Sequence, residues 1–95
     1  MQYTKATLIA QAKEVRDDGS IVEIVVWELE EPQIPCMHLY KYRLYFGLAG
    51  ECFVRYDNER GKGEHRHAGG DESVYEFTTL EALLADFERD VTNWR

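Results

Sequence analysis

At 95 residues, with 44% hydrophobic and 13% aromatic side chains, the chain has the composition of one small folded domain spanning 1–95 and is too apolar for a disordered segment. A formal charge of −7 excludes indiscriminate binding to nucleic acid, because affinity for the phosphate backbone rests on cationic neutralisation. No run approaches the length of a membrane span and Met1 to Lys5 lacks a secretory apolar region, so the expectation is a soluble, cytoplasmic protein with reduced Cys36 and Cys52.

The charge is unevenly placed. Residues 14–31 hold seven acids (Glu14, Asp17, Asp18, Glu23, Glu28, Glu30, Glu31) against Arg16 alone, whereas 38–67 hold six bases, four acids and all three histidines. One end of the molecule should be acidic and the other basic and histidine-bearing. Neither cysteine has a partner at metal-motif spacing; Cys52 reads as a small core residue, and Cys36, between prolines and a strand, as the more exposed thiol.

Lys5 to Val15 and Ile21 to Leu29 are two β-like runs joined by Arg16-Asp17-Asp18-Gly19-Ser20, a hairpin signal. A three-residue loop centred on Asp18 sets Lys13 opposite Glu23 and Ile9 opposite Trp27, and avoids opposing Glu14 to Glu23. The second run is apolar on both faces, which places it away from a sheet edge. Glu30 to Met37, with Pro32 and Pro35, is a loop.

Leu39 to Phe46 then alternates, and Gly47 to Glu51 turns into Cys52 to Asp57. With Phe46 opposite Cys52, the other face of this hairpin pairs Tyr45 with Phe53, Arg43 with Arg55 and Lys41 with Asp57. Two arginines so opposed on one open face call for an anion between them or acids nearby. Ser73 to Phe77 reads as a last strand. Thr78-Thr79-Leu80-Glu81 fits a capping box, and Leu80, Leu83, Leu84, Phe87, Val91 and Trp94 form one helical stripe. The predicted fold is α+β: four to five antiparallel strands in a meander, with one C-terminal helix packed on one face.

Between the last two strands lies Tyr56-Asp57-Asn58-Glu59-Arg60-Gly61-Lys62-Gly63-Glu64-His65-Arg66-His67, a polar stretch without an apolar residue after Tyr56. If its end is extended, His65 and His67 project to one side with Arg66 on the other. Two imidazoles could then act as general base and general acid on RNA through its 2′-hydroxyl, with no metal or other cofactor. Asp57 and Glu59 join them as the candidate catalytic set. Lys41, Arg43, Arg55, Arg60, Lys62 and Arg66 are candidates for holding the phosphate, and Gly61 and Gly63 for its close approach to the backbone. The same histidines could chelate a divalent ion with Asp57, Glu59 or His38, a reading ranked lower because no third ligand stands at a diagnostic spacing. His38 itself reads as a surface residue. The bland reading is a solvated hairpin loop capped by Asp57 and Asn58.

This stretch, preceded by Lys41-Tyr42-Arg43-Leu44 and followed by Leu80-Glu81-Ala82-Leu83-Leu84-Ala85-Asp86-Phe87-Glu88-Arg89-Asp90-Val91, resembles the TumE family of small bacterial proteins. The likeness runs from the strand at Ile21 to the C-terminal helix and is most specific in Tyr-Asp-Asn, a glycine and His-x-His. It implies the toxin component of a toxin–antitoxin system, silenced by a cognate helix-turn-helix antitoxin. The alternative is a non-catalytic module that meets a protein partner through the acidic hairpin and the charged loop. An exposed sheet edge also allows a homodimer.

Overall fold

The computed structural model describes residues 5–94 as a six-stranded antiparallel sheet in the order β1 to β6, crossed on one face by a helix. Its first hairpin joins β1 (Ala6–Val15) to β2 (Ile21–Leu29). Gly19, at φ 87°, donates its N–H to the Arg16 carbonyl, and Asp18 accepts from the Ser20 N–H. Lys13 faces Glu23 as expected, but a bulge at Ile9 leaves Leu8, and not Ile9, opposite Trp27. β2 lies between β1 and β3, consistent with its two apolar faces.

β3 (Tyr40–Leu48) and β4 (Glu51–Glu59) turn more tightly than the sequence reading placed them. Ala49 and Gly50 both take positive φ, 52° and 82°, which makes a two-residue hairpin and pairs Leu48 with Glu51. The extra residue is Phe53, bulged between the pairs Gly47–Cys52 and Phe46–Val54. The expected register therefore shifts. Arg43 opposes Asp57 in place of Arg55, Tyr45 opposes Arg55 in place of Phe53, and Lys41 lies beyond the paired segment of β4. The bulge turns Phe53 onto the helix side, where its ring meets Phe46 at 5.5 Å and stacks on Trp94 at 5.1 Å.

The count of six strands, against the four to five expected, follows from the polar stretch itself. β4 continues through Asn58 to Glu59, and β5 (Gly63–Ala68) returns beside it, so most of the stretch is paired strand with only Arg60 to Lys62 at its tip. Backbone hydrogen bonding, not burial of apolar side chains, holds such a ribbon. Gly69 and Gly70, both at positive φ, then turn into β6 (Asp71–Val74), which ends before the Tyr75 to Phe77 segment that the sequence reading included in it.

The helix α1 (Leu80–Thr92) starts one residue later than the predicted box: Thr79 is the cap, its Oγ1 accepting the Ala82 N–H at 3.0 Å. Leu83, Phe87 and Val91 are its buried stripe and rest on Val26, Tyr42, Leu44, Phe46, Val54 and Tyr56. These residues form the main cluster of the core. Among the described residues, no element packs on the sheet face away from the helix.

Candidate functional site

Strand alternation divides the polar stretch by parity. Tyr56, Asn58, Glu64 and Arg66 point to the helix side, and Arg55, Asp57, His65 and His67 to the open side, because β4 pairs Arg55 with His67, Tyr56 with Arg66 and Asp57 with His65. The two sets do different work.

The helix-side set holds the fold. Arg66 Nε donates to Asp90 at 2.8 Å and to the Tyr56 hydroxyl at 3.0 Å, while that hydroxyl donates to the same Asp90 oxygen at 2.5 Å. Arg66, expected to bind phosphate, is instead a tie between β5 and α1. Burial alone would raise the Asp90 carboxyl, but hydrogen bonds from Arg66 and Tyr56 outweigh it and hold the group below the usual carboxylate range. Burial first, and then the bond to Asp90, push the Tyr56 phenol up to about 12.

The sign of the pH effect follows. A depressed Asp90 adds stability above its ordinary value of 3.8 and loses it as pH falls through the lower folded value. Asp90→Asn should thus cost about 1–2 kcal/mol at neutral pH, and its urea-unfolding curve should converge on the native one well below pH 3.8. A gap that stays constant into acid would contradict this account.

Asn58, 2% exposed, takes the place of the missing β3–β4 ladder: its Oδ1 accepts the Tyr42 N–H at 2.9 Å and its Nδ2 donates to the Tyr40 carbonyl at 2.7 Å. The glycines of the motif also seat structure. Gly61 donates its N–H to the Ile34 carbonyl at 2.8 Å, and a Cβ on Gly63 would stand 3.4 Å from Pro35. The Gly61 bond anchors the proline loop, and Gly63, at φ 83°, turns the chain into β5.

On the open side, two rows of residues run across the sheet. One reads Lys13, Glu23, Tyr45, Arg55, His67, Glu72, and the next Gln11, Val25, Arg43, Asp57, His65, Val74. Side chains directly opposed lie about 5 Å apart at Cβ, and His65 and His67, two positions along one strand, about 7 Å apart. Asp57 Oδ2 stands 3.3 Å from Arg55 Nε as its counter-ion, without the angle of a hydrogen bond. The Arg43 guanidinium lies 5.1 Å from the Tyr45 ring centre. Lys41 shares this side by alternation. Both histidines are half-buried.

Besides Arg66, three candidates fall outside this patch. Glu59 pairs with Lys62 at 3.7 Å at the exposed hairpin tip, and Arg60 is exposed beside them. A depression of about 410 Å³ adjoins His67, lined by Glu51, Cys52, Phe53, Gly69, Gly70 and Trp94. The larger one, about 720 Å³, lies between the first turn and the end of α1 and contains no histidine, so size does not mark the site.

The sequence reading missed a second polar cluster. His38 is half-buried, not on the surface: Nδ1 accepts the Tyr40 N–H at 3.0 Å, Nε2 meets Glu64 Oε1 at 2.6 Å, and Phe77 stacks on the ring at 3.8 Å. Tyr42 donates its hydroxyl to the same Glu64 oxygen at 3.0 Å. Cys36, expected exposed, is 3% exposed beside them, and burial, with the Glu64 charge second, pushes its thiol up. The one signal available was Cys36-x-His38, whose third member, Glu64, is brought in only by the β4–β5 ribbon.

Among the described residues no helix is long and apolar enough to cross a membrane. No curated protein and no solved structure matches this chain. A family model described as Toxin TumE matches residues 5–95, which takes in every strand, the helix, the open-face histidines and the Arg66 tie. The chain belongs to the TumE toxin family.

Proposed function

We propose that this toxin cleaves RNA on the open sheet face, with His65 and His67 as the proton-transferring pair. The observation that carries the reading is the juxtaposition of the two imidazoles with Arg55, Asp57 and Arg43 in adjacent rows of one uncovered face. One imidazole takes the proton of the 2′-hydroxyl as its oxygen attacks the neighbouring phosphorus. The other protonates the departing 5′-oxygen, leaving a 2′,3′-cyclic phosphate. A spacing of about 7 Å along the strand suits two groups working on opposite sides of one phosphate. Arg55 and Arg43, with Lys41 beside them, face the phosphate oxygens where negative charge grows. Asp57 orients Arg55 and can accept a hydrogen bond from His65 across the ladder. Tyr45 offers a ring for a base.

Glu59, Arg60, Lys62 and Arg66 are not assigned to the reacting phosphate, the first three because they sit at the hairpin tip and the last because Asp90 holds it. The antitoxin partner that the family implies is proposed to be a helix-turn-helix protein encoded beside this chain; a neighbouring frame of another kind would count against it. The test of the chemistry is the product. Cleavage should give cyclic-phosphate and 5′-hydroxyl ends and stop when the nucleotide 5′ to the cut is 2′-deoxy. Ends bearing 3′-hydroxyl and 5′-phosphate would overturn it.

A further inference from the structure

Cys36 and His38 leave the proline loop side by side, and Glu64 reaches them from β5 on the helix side of the sheet. One donor atom from each of the three lies within 4.8 Å of the others. Cys36 is buried, and the His38 and Glu64 side chains are only 15% and 13% exposed. We propose that Cys36 Sγ, His38 Nε2 and the Glu64 carboxylate bind a divalent transition-metal ion of the zinc type, which fastens the 30–39 loop to the β4–β5 ribbon.

The donor set selects the metal. A thiolate, an imidazole and a carboxylate are zinc's range of ligands, whereas magnesium and calcium take oxygen. Charge agrees with burial: a dication with one thiolate, one carboxylate and one neutral imidazole sums to zero, so nothing uncompensated is buried. Each anionic ligand already has an outer partner. Asn58, pinned by β3, directs its Nδ2–H at Cys36 Sγ at 3.7 Å, and Tyr42 donates to Glu64. A polar clamp between loop and sheet would account for His38 and Glu64. It does not account for a buried cysteine turned toward a carboxylate.

Without the ion, the Nε2–H of His38 bonds to Glu64 and the Cys36 sulfur keeps its proton. Loading moves the ring proton from Nε2 to Nδ1, releases the thiol proton to solvent and draws the 2.6 Å His38–Glu64 contact apart to admit the ion. The Tyr40 N–H then loses Nδ1 as its acceptor. That amide is a reporter of occupancy. The site lies on the side of the sheet opposite His65 and His67, so it is independent of the cleavage reading.

The experiment is a titration of the metal-free full-length protein with Co²⁺. One equivalent should raise a thiolate-to-cobalt charge-transfer band, lost on adding Zn²⁺, and should shift the Tyr40 amide resonance. Cys36→Ser, which keeps the His38–Glu64–Tyr42 bonds and so the fold, should lose the band. Glu64→Gln should weaken binding more than tenfold. Cys52→Ser should keep the band. Absence of a thiolate band, its survival in Cys36→Ser, or its loss in Cys52→Ser would overturn the assignment, provided circular dichroism shows each protein folded.

Discussion

Replacing either His65 or His67 with alanine is expected to lower single-turnover cleavage of a defined RNA by about 10²–10⁴-fold, the usual contribution of one positioned proton-transfer group. The effect should be confined to chemistry. Both rings stand half-buried on a face that the helix does not cover, and no core residue rests on them, so their truncation should move stability within about 0.5 kcal/mol. The double variant should be little worse than either single one, because a base without its acid, or an acid without its base, already forfeits most of the concerted step. The native profile of rate against pH should be bell-shaped, and each single variant should lose one limb. Arg55→Ala differs in kind, since it also strips Asp57 of its counter-ion, and should weaken RNA binding as well as slow the chemistry. If His65→Ala or His67→Ala cleaved at the native rate, the pair would have no part in the reaction.

The other large effect is on the fold. Phe87→Ala should destabilise the protein by about 3–5 kcal/mol, the range for emptying a buried aromatic site. Phe87 is 1% exposed, in the middle of the only helix among the described residues, edge-on to Tyr56 at 5.9 Å and between Leu83 and Val91. A domain of this length has roughly 5–14 kcal/mol in all, so the loss is a large share. Tyr56 couples the two sides of the structure. Its ring supports the helix through Phe87, and its hydroxyl joins the Arg66–Asp90 tie on the same β4–β5 ribbon that carries His65. Urea unfolding should therefore show the midpoint falling with an unchanged slope. A loss under about 1 kcal/mol would mean that the helix is not the core's main cover.

Much of this was legible in the chain. The helix and its stripe of Leu83, Phe87 and Val91 and the first hairpin followed from periodicity, and so did the placement of His65 and His67 on one side, since alternation along a strand fixes it; Trp94 lies beyond the helix end at Thr92. What failed was register. A bulge at Ile9 and another at Phe53 each insert one unpaired residue, and no periodicity rule locates a bulge. The positive φ of Ala49 hid a two-residue turn in a stretch that looked like a five-residue loop. That slip set Arg43 against Arg55, whereas the sheet sets Arg43 against Asp57. Arg43 and Arg55 still reached the predicted face, but they are not directly opposed to each other. Thr79 displaced Thr78 as the cap, its Oγ1 accepting the Ala82 N–H, because two adjacent threonines offer the same side-chain acceptor one residue apart.

The polar stretch was misread for a related reason. With no apolar residue to bury, Asp57 to His67 carried no strand signal; its pairing is a backbone ladder, and Asn58 ties it to β3 by its side chain. Tyr56, Asn58, Glu64 and Arg66 are each tied down, which could not be separated from chemistry by composition alone. His38 and Cys36 were unreadable because Glu64, the residue that gives them a purpose, is 26 positions beyond His38 and meets it only when the ribbon has formed.

The account's central claim is that a TumE-family toxin acts through the histidine pair on its open sheet face. The most direct measurement is the growth of a bacterial host after induction of the native chain, beside the His65→Ala/His67→Ala variant at matched soluble expression. Arrest by the native protein and normal growth with the variant is the result the account predicts. Equal arrest by both would contradict it, leaving the toxin but removing the site.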